Sequence, residues 1–145
     1  MSDQKPLSRD NLGWLLAKSS HRWNELLAEQ FRAAGFSEVR PAFGSVLVPL
    51  YEQDGLRMGD LARRSGLSKQ ALTTLVRAVE AAGLVLRTRD PMDARAFRVS
   101  LTERGEKLRP VAESVLRELE ERVRSRLPET DLDRVVDALR KVMEL

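Results

Sequence analysis

The chain has 145 residues, 42% hydrophobic and 32% charged, a balance that suits one packed domain with a real core. With no cysteine and a single histidine, His21, it has no disulfide, no thiolate nucleophile and no His-rich metal site within one chain, and neither a metal nor a cofactor is expected. The net charge of +3 is unevenly placed: Arg57 to Arg104 holds ten Lys/Arg against five Asp/Glu, a basic middle of the kind that attracts polyanions.

In chain order, Leu12, Leu15, Leu16, Trp23, Leu26, Leu27 and Phe31 recur at three- and four-residue spacing and predict a helix over about 10–34, stopped at Gly35. Pro41 suits the first turn of a second helix with Phe43, Val46, Leu47 and Leu50 on its apolar side, which Pro49 should bend or shorten. Two short helices follow, over about 58–65 and 69–82, separated by Ser65-Gly66-Leu67-Ser68. There Gly66 ends one helix and Ser68 caps the next. Leu84–Arg89 and Phe97–Leu101 read as two strands of a hairpin whose turn holds Asp90 to Ala96. Thr102 caps a long helix to about Leu127, which Pro110 should kink, and a last helix begins near Asp131. The Met-Ser-Asp-Gln-Lys start lacks an apolar signal core. The longest uncharged run, Pro41 to Tyr51, is too short to span a bilayer, so a cytoplasmic protein without membrane contact is expected.

Two helices joined by a tight glycine-containing turn form a helix-turn-helix, whose second helix can enter a major groove. In the 69–82 helix, Leu72, Leu75, Val76 and Val79 share one side. Gln70, Thr73, Thr74 and Arg77 point nearly the opposite way at 100° per residue. Gln, Thr and Arg hydrogen-bond base edges and phosphates, and Ser68 and Lys69 sit at the positive helix start, where backbone N–H groups favour a phosphate. Taken alone this is equally an amphipathic helix with a solvated face. The hairpin adds Arg87, Arg89, Arg95 and Arg98. Asp93, two residues before Arg95, is spaced to hold its guanidinium in a bidentate pair and aim it into a narrow minor groove, or else merely to favour the turn.

Gly55 through Ser68 resembles the helix-turn-helix of the MarR family of regulators. Leu75-Val76 through Ala82-Gly83-Leu84-Val85 is similar to its recognition helix and exit. Asp90-Pro91-Met92-Asp93-Ala94-Arg95, then Val99 to Gly105, resembles its wing signature. The resemblance is continuous over about Gly55 to Gly105. It implies a mainly α fold with a winged helix-turn-helix, a two-stranded β-wing and N- and C-terminal dimerisation helices. The expected layout is a single domain, 1–145, with dimerisation helices over 10–35 and 102–145 and a DNA-binding unit over 41–101. The implied function is a sequence-specific regulator of transcription, a repressor acting as a homodimer on a pseudo-palindromic site in double-stranded DNA. Arg95 would enter the minor groove and the Gln70–Arg77 face the major groove. Ser68, Lys69, Gln70, Thr73, Thr74, Arg77, Arg87, Asp93 and Arg95 form the expected DNA-binding set. The dimer has independent support, because the terminal helices carry more apolar stripe than a winged unit of about 50 residues can cover.

The resemblance also implies release of DNA by a small aromatic or acidic ligand bound between the dimer helices and the winged unit. Trp14, His21 and Tyr51 are candidates to line such a crevice, with Arg40 as carboxylate partner; packing, capping and solvation are the ordinary roles of these types. No phosphate-cradling glycine loop, nucleophile elbow or metal-ligand spacing favours an enzyme. The competing reading is a winged-helix module for protein contact without DNA, against which four arginines on one hairpin argue.

Overall fold

The computed structural model describes residues 7–145, and its elements follow from local chemistry. Helix α1 runs Leu12–Ala33 behind Asn11, whose side-chain oxygen accepts the Trp14 amide at 2.9 Å, and it ends before Gly35 at φ +88°. A short 3-10 turn, Pro41–Phe43, leads into α2, Gly44–Glu52; Pro49 lies within α2 without breaking it. Strand β1, Leu56–Arg57, precedes α3, Met58–Ser65, and Gly66 (φ +69°) provides the left-handed residue that lets the chain turn into α4, Lys69–Ala81. Strands β2, Val85–Asp90, and β3, Asp93–Leu101, form the wing. Helix α5, Glu103–Arg124, runs continuously through Pro110, and α6, Asp131–Met143, closes the described chain. No helix among the described residues is long and apolar enough to cross a membrane.

Two expectations change. The two-stranded wing forms as expected, but a third strand joins its sheet, giving the antiparallel order β1-β3-β2 with Leu56 opposite Val99 and Arg57 opposite Arg98. A two-residue strand is too short to show alternation, so the sequence pattern could not reveal it. The hairpin turn is also tighter than expected. Pairing continues to Asp90 and resumes at Asp93, leaving only Pro91 and Met92 between strands, with a register shift at Arg89/Asp90. Asp90 Oδ1 closes this turn by accepting the Met92 amide at 2.8 Å.

The core is continuous from the winged unit into the long helices. Val46 of α2, Leu61 of α3, Val76 and Val79 of α4, and Val85 and Val99 of the sheet are fully buried. Leu27 and Phe31 of α1 and Leu108, Val115 and Leu119 of α5 extend it. The start of α5 is fastened to the winged unit at several points. Thr102 donates its amide to the Leu84 carbonyl (3.0 Å) and its hydroxyl to the Gly83 carbonyl (2.6 Å); Tyr51 donates to the Gly105 carbonyl at 2.8 Å. Gly105 itself is buried so tightly that a Cβ there would lie 2.2 Å from the Leu84 oxygen. By contrast α6, the most strongly amphipathic of the long helices by sequence pattern, buries none of its residues within the chain.

Candidate nucleic-acid interface

Helix α4 is oriented by its apolar side. Leu72, Val76 and Val79 are buried, while Lys69, Gln70, Thr74 and Arg77 are exposed and Thr73 is half-buried. Ser68 caps the helix by accepting the Ala71 amide at 3.2 Å. Thr73 and Thr74 donate their hydroxyl protons to the carbonyls of Lys69 (2.8 Å) and Gln70 (3.1 Å). What each presents outward is therefore an acceptor oxygen and a methyl group.

The polar side of α4 is a ridge between two grooves, so the expected strip does not form one surface. Toward the wing, Lys69, Thr73 and Arg77 line a concavity of about 650 Å³ with Arg87, Arg95 and Phe97 of the hairpin and Arg57, Asp60 and Arg63 from β1 and α3. Six cationic side chains meet there, and its one carboxylate, Asp60, is engaged by Arg63. On the other flank Ser68, Gln70 and Thr74 border a second, mostly apolar groove of about 630 Å³ with Arg40, Phe43 and Leu75. The helical period fixes which residues face away from the core; only the neighbouring elements decide how that face is divided.

Within the wing, three arginines have defined partners and one does not. The Glu80 carboxylate accepts the Arg87 amide at 3.0 Å and pairs with Arg87 Nε at 3.3 Å, while the Arg87 guanidinium lies 5.8 Å from the centre of the Phe97 ring. Arg89 donates to the Ala94 carbonyl at 3.1 Å and faces the same ring at 5.9 Å. Arg98 Nη1 donates to the Gly55 carbonyl at 2.8 Å. Arg95 is exposed, and its guanidinium has no partner among the described residues. The expected Asp93–Arg95 side-chain pair is not formed: Asp93 Oδ1 accepts the Arg95 main-chain amide at 3.0 Å. In a two-residue turn that amide points back at the carboxylate, which satisfies the hairpin end and leaves the guanidinium to solvent.

Sequence reading missed the group that holds the wing base. Asp90 is only 3% exposed, and its Oδ2 lies 2.5 Å from Arg57 Nε and 3.3 Å from Arg98 Nε. Its pKa is held below the ordinary carboxylate value, chiefly by the Met92 amide, with Arg57 and Arg98 outweighing part of the opposing effect of burial. Arg57, Arg63 and Phe97 were also missed as lining residues. The surplus of Lys/Arg over Asp/Glu in this stretch was the one signal available for the two arginines.

The four effector candidates do not converge within the chain. Trp14 is exposed on α1 beneath Lys18 (4.7 Å to the ring), and His21 pairs with Glu25 at 2.6 Å. Tyr51 is bound to the start of α5, where burial first, and the nearby Glu106 second, push its pKa up to about 12. Arg40 alone lines one of the grooves, the apolar one beside α4.

The sequence profile of the MarR family matches residues 42–97. The chain is 37% identical over 78 residues to an HTH-type transcriptional repressor of Mycobacterium tuberculosis, a match covering 54% of this chain and 56% of the relative, so it spans about half the length of the curated relative. The fold is similar to that of a MarR-family transcriptional regulator from Rhodococcus sp. RHA1, with a TM-score of 0.75 and 27% identity over 95% of this chain and 96% of that one. It is also similar to CouR from Rhodococcus jostii RHA1, solved bound to p-coumaroyl-CoA, with a TM-score of 0.72 and 28% identity over 95% of each chain.

Proposed function

We propose that the chain is a MarR-family winged-helix transcription regulator rather than an enzyme, a cytoplasmic, homodimeric repressor that grips duplex DNA with α4 in a major groove and the wing in the adjacent minor groove. The observation that carries the reading is the cationic concavity between α4 and the wing, with an unpartnered Arg95 beside it. A phosphate backbone running between the two elements meets Lys69, Arg57 and Arg63; base edges meet Gln70, Thr73, Thr74 and Arg77. Arg87 and Asp93 belong to this set as supports, since both are engaged inside the wing.

The second copy is needed to cover apolar surface. Val135, Val136, Leu139 and Val142 of α6 are exposed in the single chain, as are Leu12 and Leu15 of α1 and Leu116 of α5. In this reading residues 10–35 and 102–145 pair the protomers, and 41–101 carries the DNA contacts. Two such units with recognition helices about 34 Å apart match one turn of duplex, which calls for a pseudo-palindromic site.

Selection of bound fragments from random duplex DNA, followed by titration of the enriched sequence across a salt series, tests the whole reading. An enriched motif with two-fold symmetry and a steep negative slope of log K against log salt is expected. A flat slope and no enrichment would leave a winged-helix module for protein contact.

A small acidic effector is a second reading, favoured by one observation. Arg40 sits at the rim of the apolar groove that Gln70 and Thr74 also border, so a carboxylate ligand held there would touch α4 itself. Trp14, His21 and Tyr51, being dispersed, would contribute only across the dimer.

A further inference from the structure

Arg57 and Arg98 stand directly opposite one another in the β1–β3 register. Like charges in that arrangement repel, and two long cationic side chains would ordinarily splay apart and loosen the strand pair. Here a third residue resolves the conflict. Asp90, at the register shift where β2 enters the turn, places one carboxylate oxygen against both guanidiniums and the other against the Met92 amide, and the whole carboxylate is shielded from water. Arg98 then reaches on to the Gly55 carbonyl just before β1. One buried charge thus ties three strands and the hairpin tip into a single body.

We propose that Asp90 is a positioning residue for Arg95: clamped between Arg57 and Arg98, it sets the angle at which the hairpin leaves the winged unit and so fixes where the Arg95 guanidinium stands relative to α4. This rests on the DNA reading above. Arg95 lies five residues further on, across the two-residue turn, with no side-chain partner of its own to orient it. A finger anchored only at its base takes its direction from that base. A neutral group at position 90 leaves the opposed cations uncompensated, and the hairpin is then free to swing.

The test is a double-mutant cycle on the full chain with its selected duplex, joined to hydrogen exchange on the protein without DNA. In the wild-type background Arg95→Ala is expected to weaken binding about fivefold or more; in the Asp90→Asn background the same substitution should cost less than about threefold, because the guanidinium is already misplaced. Without DNA, the amides of Met92 and Arg95 should exchange at least about tenfold faster in Asp90→Asn, while those of Val76 and Leu84 keep their rates. An Arg95 effect of equal size in both backgrounds overturns the proposal. So does unaltered exchange at the tip, or faster exchange spread evenly through the core, which marks a role in stability alone. If Asp90→Asn does not fold, Arg98→Gln, on a side chain exposed to solvent by more than a third, removes one arm of the clamp and is read by the same cycle. Wild-type protein that binds no duplex would defeat the DNA reading, while the exchange result still decides whether Asp90 holds the wing.

Discussion

Glu80 holds Arg87 twice, accepting its main-chain amide with one carboxylate oxygen and pairing with its guanidinium through the other. The contact joins the C-terminal end of α4 to the first strand of the wing, and it neutralises a cation that faces the concavity. Glu80→Gln keeps the amide hydrogen bond and releases the charge. Non-specific duplex affinity should rise, and the log–log salt slope should steepen by about 0.9, the value of one added phosphate contact. Arg87→Ala in the wild-type background should change that slope by less than half as much. Titrations over a salt series measure both, and an unaltered slope in Glu80→Gln would mean that Arg87 cannot reach a phosphate.

Arg95→Ala should weaken duplex binding by roughly 1–3 kcal/mol, most at sites flanked by A·T pairs, whose narrow minor groove carries the most negative potential. Its side chain makes no hydrogen bond or ion pair among the described residues, so the melting temperature should stay within about a degree of wild type. Equal affinity for A·T- and G·C-flanked sites in the wild type would remove the wing from minor-groove reading.

Tyr51 is the chain's one tyrosine, which makes its ionisation separable from any other phenol. Burial raises its pKa from 10.0 to about 12 in the folded chain. A raised folded-state value means the unfolded chain loses its proton first. The tyrosine's contribution to stability is therefore intact below pH 10 and falls away between pH 10 and about 12. Phenolate absorbance should titrate near 12 in native protein and near 10 in denaturant, and Tyr51→Phe should cost about 1 kcal/mol at neutral pH through the lost bond to Gly105. A native midpoint near 10 would contradict the packing of Tyr51 on α5.

Leu139→Glu should leave the subunit folded, because Leu139 is exposed within the chain, yet shift the sedimentation profile from dimer to monomer. Binding to a full two-fold site should then fall toward that of a half-site. A monomeric variant that still holds the full site as tightly as wild type would refute pairing through the terminal helices.

Helices α3 and α4 were legible in the sequence almost to the residue, because Gly66 and Ser68 are strong local signals that need no tertiary context. The outward side of α4 was legible too, from period alone. Its division between two grooves was not, since that depends on where β1, Arg40 and the wing come to rest. Asp93 was expected inside the turn but opens β3 just after it, and spacing could not say whether its carboxylate would take a guanidinium or an amide. Asp90 was the largest gap. An acid next to a proline in a turn is ordinarily solvated, and the two arginines that enclose it come from positions 41 apart in the chain, with no local pattern linking them.

The close seating of Gly105 on the Leu84 carbonyl makes the first turn of α5 and the winged unit one solid piece. A helix of 22 residues is about 33 Å long, so in the proposed dimer it would act as a lever arm with its fulcrum among the terminal helices. A tilt of about 5° at the far end carries the near end through roughly 3 Å over that length, a large fraction of the spacing between successive phosphates. In that dimer, small changes in how two protomers lean on each other would be magnified at the proposed DNA-contacting tips, without any bend inside the winged unit.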